Sequence, residues 1–401
     1  MSRHKLKASM RLRVGAFIYV WSLPNIPSDQ ALVFMAEYFP ESYLQAYEQF
    51  TRGVENLNWD LEYSDPISTD GIPCTPELRV QVALSPRVSE SRSALVVSTG
   101  LHGVEGFLGS AVLAKLIENW QRDSPKCRVI LLHSLNPFGY HFMRRADQNN
   151  VDLNRNFLVD GKYQGTPELY GRLDSLLNPR KSPSSWDPGF ELKAVANILC
   201  HGFSAVQEAV AGGQYDYPKG LFYGGSEISP LASWLQEKMP NWLRDIQNVV
   251  HLDVHSGLGK RANFQLITEM SIEPEFAQKL HTRFSPERCV NMSAASDDDR
   301  KIYRASGSFG SWVENQARKW NCGRYFFAVV EFGTYPPIQV LKALKRENQL
   351  FHWGAATDLQ HPAKQRLREV FCPRSPDWRS RCLESAEDIA KWMCAQLMDF
   401  H

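Results

Sequence analysis

The sequence predicts an α/β fold with a mixed, mostly parallel central sheet and helices on both faces. Nearly continuous apolar runs at Ala94 to Val97 and Val129 to Leu132 read as buried parallel strands, because a strand covered on both faces loses the polar alternation of a half-exposed one. Between them, Phe107 to Trp120 has the length and periodicity of a crossover helix. Further strand-like runs at Asn248 to Val254 and Tyr325 to Val330 extend the sheet, and helices must then cover its two faces.

Ahead of that unit, Tyr43, Leu44, Tyr47, Phe50, Val54 and Leu57 recur at helical spacing, so Glu41 to Leu57 is predicted to be a helix with one face on the core. Trp59 to Tyr63 and Glu77 to Leu84 follow as strands. In the second, Leu78, Val80, Val82 and Leu84 alternate with other residues, as in a half-buried antiparallel strand. The stretch 158–247 is predicted to be an insertion, with loop-like segments at Asn178 to Pro188 and at the Gly- and Tyr-rich Gly212 to Gly225, of the kind that shapes access to a site. Ser385 is placed as the N-cap of a closing helix that runs to Phe400.

Residues 37–401 are expected to form one catalytic domain. Residues 1–36 are expected to be an extension, poorly ordered or arising from a misassigned start: basic residues precede the apolar Val14 to Trp21, but no small-residue cleavage site follows. The 401-residue chain is 43% apolar, enough for a sizeable core, and its net charge of +1 leaves no electrostatic footprint for nucleic acid or a membrane surface. No apolar run is long enough to span a bilayer. The eight cysteines contain no C-x-x-C pair, which fits a reduced, cytoplasmic protein better than a disulfide framework. A small-molecule or peptide substrate is the class left; oligomeric state is not readable.

The chemistry gathers at the ends of the strands, where α/β sheets place their sites. His102, Gly103, Val104 and Glu105 lie between the first apolar strand and its helix, and an imidazole with a carboxylate at this spacing reads as half of a zinc site. A catalytic zinc needs a third protein ligand. In His251, Leu252, Asp253, Val254 and His255, strand alternation puts both histidines and the aspartate on one face, and His255, nearest the carboxyl end, is the chosen ligand. His251 is then a hydrogen-bonded structural histidine, and Asp253 either supports His255 or serves a second metal.

Two further groups complete the constellation. Arg144, Arg145, Asn154 and Arg155 follow the second apolar strand and are of the types that clamp a carboxylate or stabilise a developing oxyanion. Glu331 directly follows the apolar Val329 and Val330, and a carboxylate buried there must be paired, metal-associated or catalytic. As a general base it would take a proton from a water that zinc has acidified.

In order along the chain, H-x-x-E, V-D-L-N-R-N-F, D-x-H-S and V-E-F-G-T resemble the zinc carboxypeptidase superfamily, with its succinylglutamate desuccinylase and aspartoacylase relatives. More narrowly, G-x-H-G-V-E-G-F-x-G-S, N-P-F-G-Y and G-L-F-Y-G-G resemble a bacterial metallopeptidase-like branch known as a domain of unknown function, over Glu37 to the C-terminus. The resemblance implies a zinc carboxypeptidase-like fold with one zinc on His102, Glu105 and His255, Glu331 as base, Arg145 favoured over Arg144 for the oxyanion, and Asn154 with Arg155 gripping a substrate carboxylate. A substrate-capping tyrosine has no assignable match; Tyr215, Tyr217 and Tyr223 are candidates.

Three functions fit this pattern: hydrolysis of a peptide bond beside a free carboxylate, deacylation of an N-acyl amino acid with the same metal and base, and non-catalytic zinc or ligand binding. A serine hydrolase is disfavoured because no G-x-S-x-G elbow is present.

Overall fold

The computed structural model describes residues 37–398 except 70, 73, 75, 76, 90, 185, 186, 188 and 293–305. The extension expected over residues 1–36 therefore lies outside the described residues, as do Ser185, Trp186 and Pro188 of the Asn178 to Pro188 segment and Phe400, the expected end of the closing helix.

Eight strands form one mixed sheet in the order β1-β2-β4-β3-β5-β8-β6-β7. They are β1 (Asp60–Tyr63), β2 (Gln81–Leu84), β3 (Ser93–Thr99), β4 (Arg128–His133), β5 (Asn248–Gly257), β6 (Phe264–Thr268), β7 (Cys289–Asn291) and β8 (Arg324–Gly333). The central strands β4, β3, β5 and β8 run parallel, while β1 with β2, β2 with β4 and β6 with β8 are antiparallel. The parallel centre is the part that the apolar runs predict. The short β6 and β7 at the far edge were not anticipated.

Side-chain alternation divides the core in two. Leu95, Val97 and Leu131 point to one face, where they pack with Phe107, Leu108 and Trp378. Val96, Ile130 and Leu132 point to the other, against Leu235, Met239, Trp242 and Trp312. The first face is covered by α1 (Tyr43–Asn56) and α2 (Gly106–Arg122), joined by the last helix. In α1, Tyr43, Ala46, Phe50 and Val54 are buried at helical spacing, and the Ser42 hydroxyl accepts from the backbone N–H of Gln45 to cap the first turn.

The remaining helices, in chain order, are α3 (Pro137–His141), α4 (Glu168–Leu177), α5 (Gly189–His201), α6 (Phe203–Ala211), α7 (Pro230–Trp242), α8 (Pro274–Phe284), α9 (Phe309–Lys319), α10 (Pro337–Trp353), α11 (Pro362–Phe371) and α12 (Pro376–Met398). Thus the stretch read as a loop-bearing insertion carries four helices, α4 to α7. Of these, α7 belongs to the second face of the sheet, whereas α4 and α6 build a third apolar cluster with α10 and α11.

The closing helix starts earlier than its predicted cap. It begins at Pro376, where a missing N–H breaks no helical bond, and Ser385 falls within it. No described helix is long and apolar enough to cross a membrane.

Parallel register matters most at the strand ends. His255 of β5 lies directly opposite Glu331 of β8, and Thr99 at the end of β3 lies opposite Val254. All four of His102, Glu105, His255 and Glu331 thus arrive at one edge of the sheet.

Candidate active site

Beyond β3 the chain turns through Gly100 and Leu101, presents His102, and enters a short 3-10 turn, Gly103–Glu105, that leads into α2. The turn is held in place by backbone bonds from Gly103 N–H to Arg145 O (3.2 Å) and from Val104 N–H to Arg144 O (2.9 Å). This close approach needs a glycine: a Cβ at Gly103 would stand 2.0 Å from the backbone carbon of Gly139. Gly103→Ala is therefore expected to destabilise the protein by about 1–3 kcal/mol or more, as overpacking against rigid backbone does. A thermal melt indistinguishable from wild type would contradict this account of the turn.

The turn brings the predicted ligands together. His102 Nδ1 lies 2.9 Å from Glu105 Oε1, His255 Nδ1 lies 2.9 Å from Glu105 Oε2, and the two Nδ1 atoms are 3.1 Å apart. One ligand atom from each residue falls within 4.8 Å of the others, and all three residues are buried. Glu105 Oε2 also accepts from Ser256 N–H at 3.1 Å.

Carboxylates stand behind both imidazoles. Asp253 Oδ2 is 2.6 Å from His255 Nε2. His102 Nε2 makes no well-directed hydrogen bond, and its nearest acid is Asp152, whose Oδ1 is 3.3 Å away. Asp152 in turn accepts from Arg145 Nε at 2.8 Å. In V-D-L-N-R-N-F the sequence points to the asparagine and arginine alone; the structure adds Asp152, between His102 and Arg145.

Asp253 is committed on both oxygens. Its Oδ1 accepts from Ser98 Oγ at 2.6 Å; Ser98 Oγ also lies 2.8 Å from His251 Nε2, and His251 Nδ1 lies 2.9 Å from Tyr325 OH. A buried hydrogen-bonded chain therefore runs from Tyr325 through His251, Ser98 and Asp253 to His255. Burial lowers the His251 imidazole to about 4, so it stays neutral as a structural link.

The buried charges at this centre shift one another. Burial alone would raise Glu105, but His102 and His255 outweigh it and hold the carboxylate well below its usual range. Burial would likewise raise Asp152, yet Arg145, Arg155 and His102 keep it ionised. For His255, burial opposes the charged form and is overcome by Asp253 and Glu105, so its affinity for a proton rises well above normal. Glu331 goes the other way: burial first and the charge of Glu105 second push it up to about 7, against His255, the Leu258 N–H and Arg145.

These features test whether a metal fits. If His255 donates Nε2–H to Asp253, its neutral Nδ1 carries a lone pair facing Nδ1 of His102, beside a carboxylate; three converging lone-pair donors are what a divalent cation neutralises. The field that draws a proton to His255 would draw a cation equally, so proton and metal compete for one place. His102, Glu105 and His255 fit a zinc-type ion. Asp253, with both oxygens engaged inside the sheet, is used as a support for His255.

The ligands open into a cavity of about 190 Å³ that is also lined by Arg145, Asn154, Arg155 and Glu331. Glu331 Oε1 accepts from Leu258 N–H at 2.8 Å, which fixes the carboxylate at the cavity wall. Arg145 Nη1 lies 3.7 Å from Glu105 Oε1. Asn154 Oδ1 accepts from Phe309 N–H at 2.9 Å, and Arg155 donates through Nε and Nη2 to Ala211 O at 2.9 and 2.6 Å. Phe222 joins this group unforeseen: its ring lies 5.3 Å from the guanidinium carbon of Arg145 and 6.0 Å from that of Arg155.

Arg144 is placed elsewhere. Its guanidinium is fully buried outside the cavity lining, stacked 3.3 Å over Phe351 and bonded to Asn150 at 2.7 Å, with Glu347 3.5 Å away. Successive residues in this turn face opposite ways, which separates Arg144 from Arg145. Tyr215, Tyr217 and Tyr223 do not line the cavity either. Tyr215 donates to Arg155 O at 2.8 Å, Tyr217 packs against Tyr170, and Tyr223 is in the core.

Comparison with solved structures finds similarity at low identity. Carboxypeptidase A from Helicoverpa armigera is 14% identical with a TM-score of 0.43, over 90% of this chain and 80% of that one. Bovine thrombin-activatable fibrinolysis inhibitor, in complex with tick carboxypeptidase inhibitor, is 11% identical with a TM-score of 0.45, over 91% of this chain and 99% of that one. Murein-tripeptide amidase MpaA from Escherichia coli O157 is 19% identical with a TM-score of 0.32, over 68% of this chain and 87% of that one. No curated protein matches the sequence. Residues 39–385 match the family described as "Protein of unknown function (DUF2817)", the kind of branch that the motifs resemble, and the chain belongs to that family.

Proposed function

We propose that the protein is a zinc-dependent hydrolase that cleaves a peptide or amide bond beside a free carboxylate. The observation that carries this reading is the register of β5 and β8, which sets His255, a ligand on this reading, directly opposite Glu331 at the wall of one cavity. His102, Glu105 and His255 would hold the metal, which when bound polarises the scissile carbonyl and acidifies a water.

Glu331 then works as the proton carrier. Its carboxylate, held by the Leu258 N–H, takes the proton from the attacking water and gives it to the departing amine. Arg145 brings a fixed positive charge to the cavity, steadied by Asp152, and stabilises the oxygen on which negative charge develops. Because Asn154 Oδ1 is occupied by Phe309 N–H, its amide NH2 is the end offered to a substrate carboxylate, with Arg155 beside it. An N-acyl amino acid and a C-terminal peptide present the same bond to these groups, so a deacylase uses the same machinery.

The test is a panel of blocked dipeptides and N-acyl amino acids incubated with zinc-loaded protein, with release of free amine measured. Turnover that disappears on chelation and returns with zinc is the expected result. Stoichiometric zinc with no amine released from any substrate would favour a binding protein instead.

A further inference from the structure

The cavity has two unlike ends. One is the polar centre at the strand termini; the other is formed by apolar residues of α6 (Phe203, Val206 and Val210, beside the single polar Gln207) and of α10 (Ile338, Leu341 and Leu344). On each helix these residues recur every three or four positions, so an apolar stripe about two turns long, roughly 10 Å, faces inward. That length exceeds the reach of any single apolar amino-acid side chain.

Val206, Val210, Leu341 and Leu344 pack within one cluster. The space is also large, about 190 Å³ against the roughly 10–15 Å³ that one water requires. Water held between such walls finds few partners, and an apolar group that displaces it gains free energy.

The apolar end reaches the surface. Phe203 lines the cavity yet is 49% exposed, so it stands at an opening. On the neighbouring α5, Ile198 also lines the cavity and the adjoining Leu199 is 81% exposed, so apolar surface continues beside the mouth. A chain longer than the cavity could leave by this route and remain in apolar contact.

We propose that the substrate is an N-acyl amino acid with a medium to long unbranched acyl chain. The chain lies between α6 and α10, and the amide bond sits at the polar centre. This rests on the hydrolase reading for the bond that is cut, and on the cavity for the group that is held. Water adds across the C–N bond, with hydroxyl going to the acyl carbon and hydrogen to the nitrogen, releasing a carboxylic acid and a free amino acid.

The experiment is isothermal titration of the zinc-loaded, full-length Glu331→Gln protein with N-acetyl-, N-octanoyl- and N-dodecanoylglycine, beside hydrolysis of the same compounds and a blocked dipeptide by the wild type. Each well-buried methylene strengthens binding by about fourfold, so octanoyl, with at least about three of its six extra methylenes buried, is expected to bind at least ~50-fold more tightly than acetyl. Val206→Trp, added to that protein, fills the space between the helices and should bring the two within about threefold. Phe203→Ser, at the exposed mouth, perturbs folding less and should weaken dodecanoylglycine most. Equal Kd values for all three chains, with the blocked dipeptide cleaved, would overturn the acyl pocket and leave the hydrolase standing. Chain-length-dependent binding with no hydrolysis of any compound would support the pocket and sink the hydrolase.

Discussion

Glu331→Gln is expected to lower kcat by about 10²–10⁴-fold while zinc stays bound, because the change removes a proton carrier and keeps the shape of the side chain. The amide can still accept the Leu258 N–H through its oxygen, so the cavity wall should not move. Binding of substrate should then survive the loss of turnover, leaving KM close to its original value where chemistry is rate-limiting. The measurement is turnover of the best substrate in the panel, with metal content determined on the same preparation. Activity within about threefold of wild type would remove Glu331 from the base role and turn attention to Arg145 and the ligands themselves.

The second large effect concerns the ligands. Wild-type protein is expected to hold about one zinc per chain, and His102→Ala or His255→Ala to retain less than about a tenth of that, since a three-residue site loses most of its affinity with any one ligand. His251→Ala is the informative control. It lies on the same face of β5 as His255, but its nitrogens are bonded to Ser98 and Tyr325 rather than aimed at the cavity. That variant should keep its zinc and lose about 1–3 kcal/mol of stability from partners left unsatisfied in the core. Metal loss in His251→Ala comparable to that in His255→Ala, in a protein that still folds, would show that the ligand assignment on β5 is wrong.

What was legible in the chain follows from how each element is made. Strands β3, β4, β5 and β8 are buried by helices on both sides, so their apolar runs stand out, and the polar residues that interrupt their ends announce a site. The edge strand β7 has three residues, all only partly buried, so no pattern rises above that of a loop, and the five-residue β6 beside it, though mostly buried, is too brief a run to be told from a turn of helix. In α5, the exposed Leu192, Val195 and Leu199 mix with a sparse buried set of Phe190 and Ala194, which blurs the face that marks an amphipathic helix.

The site shows the same division. His255 and Asp253 are two apart on a strand, so their common face could be read from alternation. Asp152 and Phe222 come to the centre through loops, where no period relates position to direction, and Phe222 adopts a positive φ of 57° that nothing in the residue type announces. Arg144 and Arg145 differ only in which way one turn points. Local sequence holds no record of that choice; the packing of Arg144 against Phe351, more than two hundred residues later in the chain, decides it.

The ladder between β5 and β8 gives the centre its dimension. Since His255 and Glu331 are partners across adjacent strands, the distance between the ligand and the acid is inherited from the spacing of a sheet, about 4.8 Å between backbones, and not from the conformation of a loop. The loops and helices around the cavity can therefore lengthen, shorten or change their chemistry without altering the interval between His255 and Glu331. On the hydrolase reading proposed above, the pairing of His255 with Glu331 and the walls that would meet a substrate are thus written in separable parts of the chain.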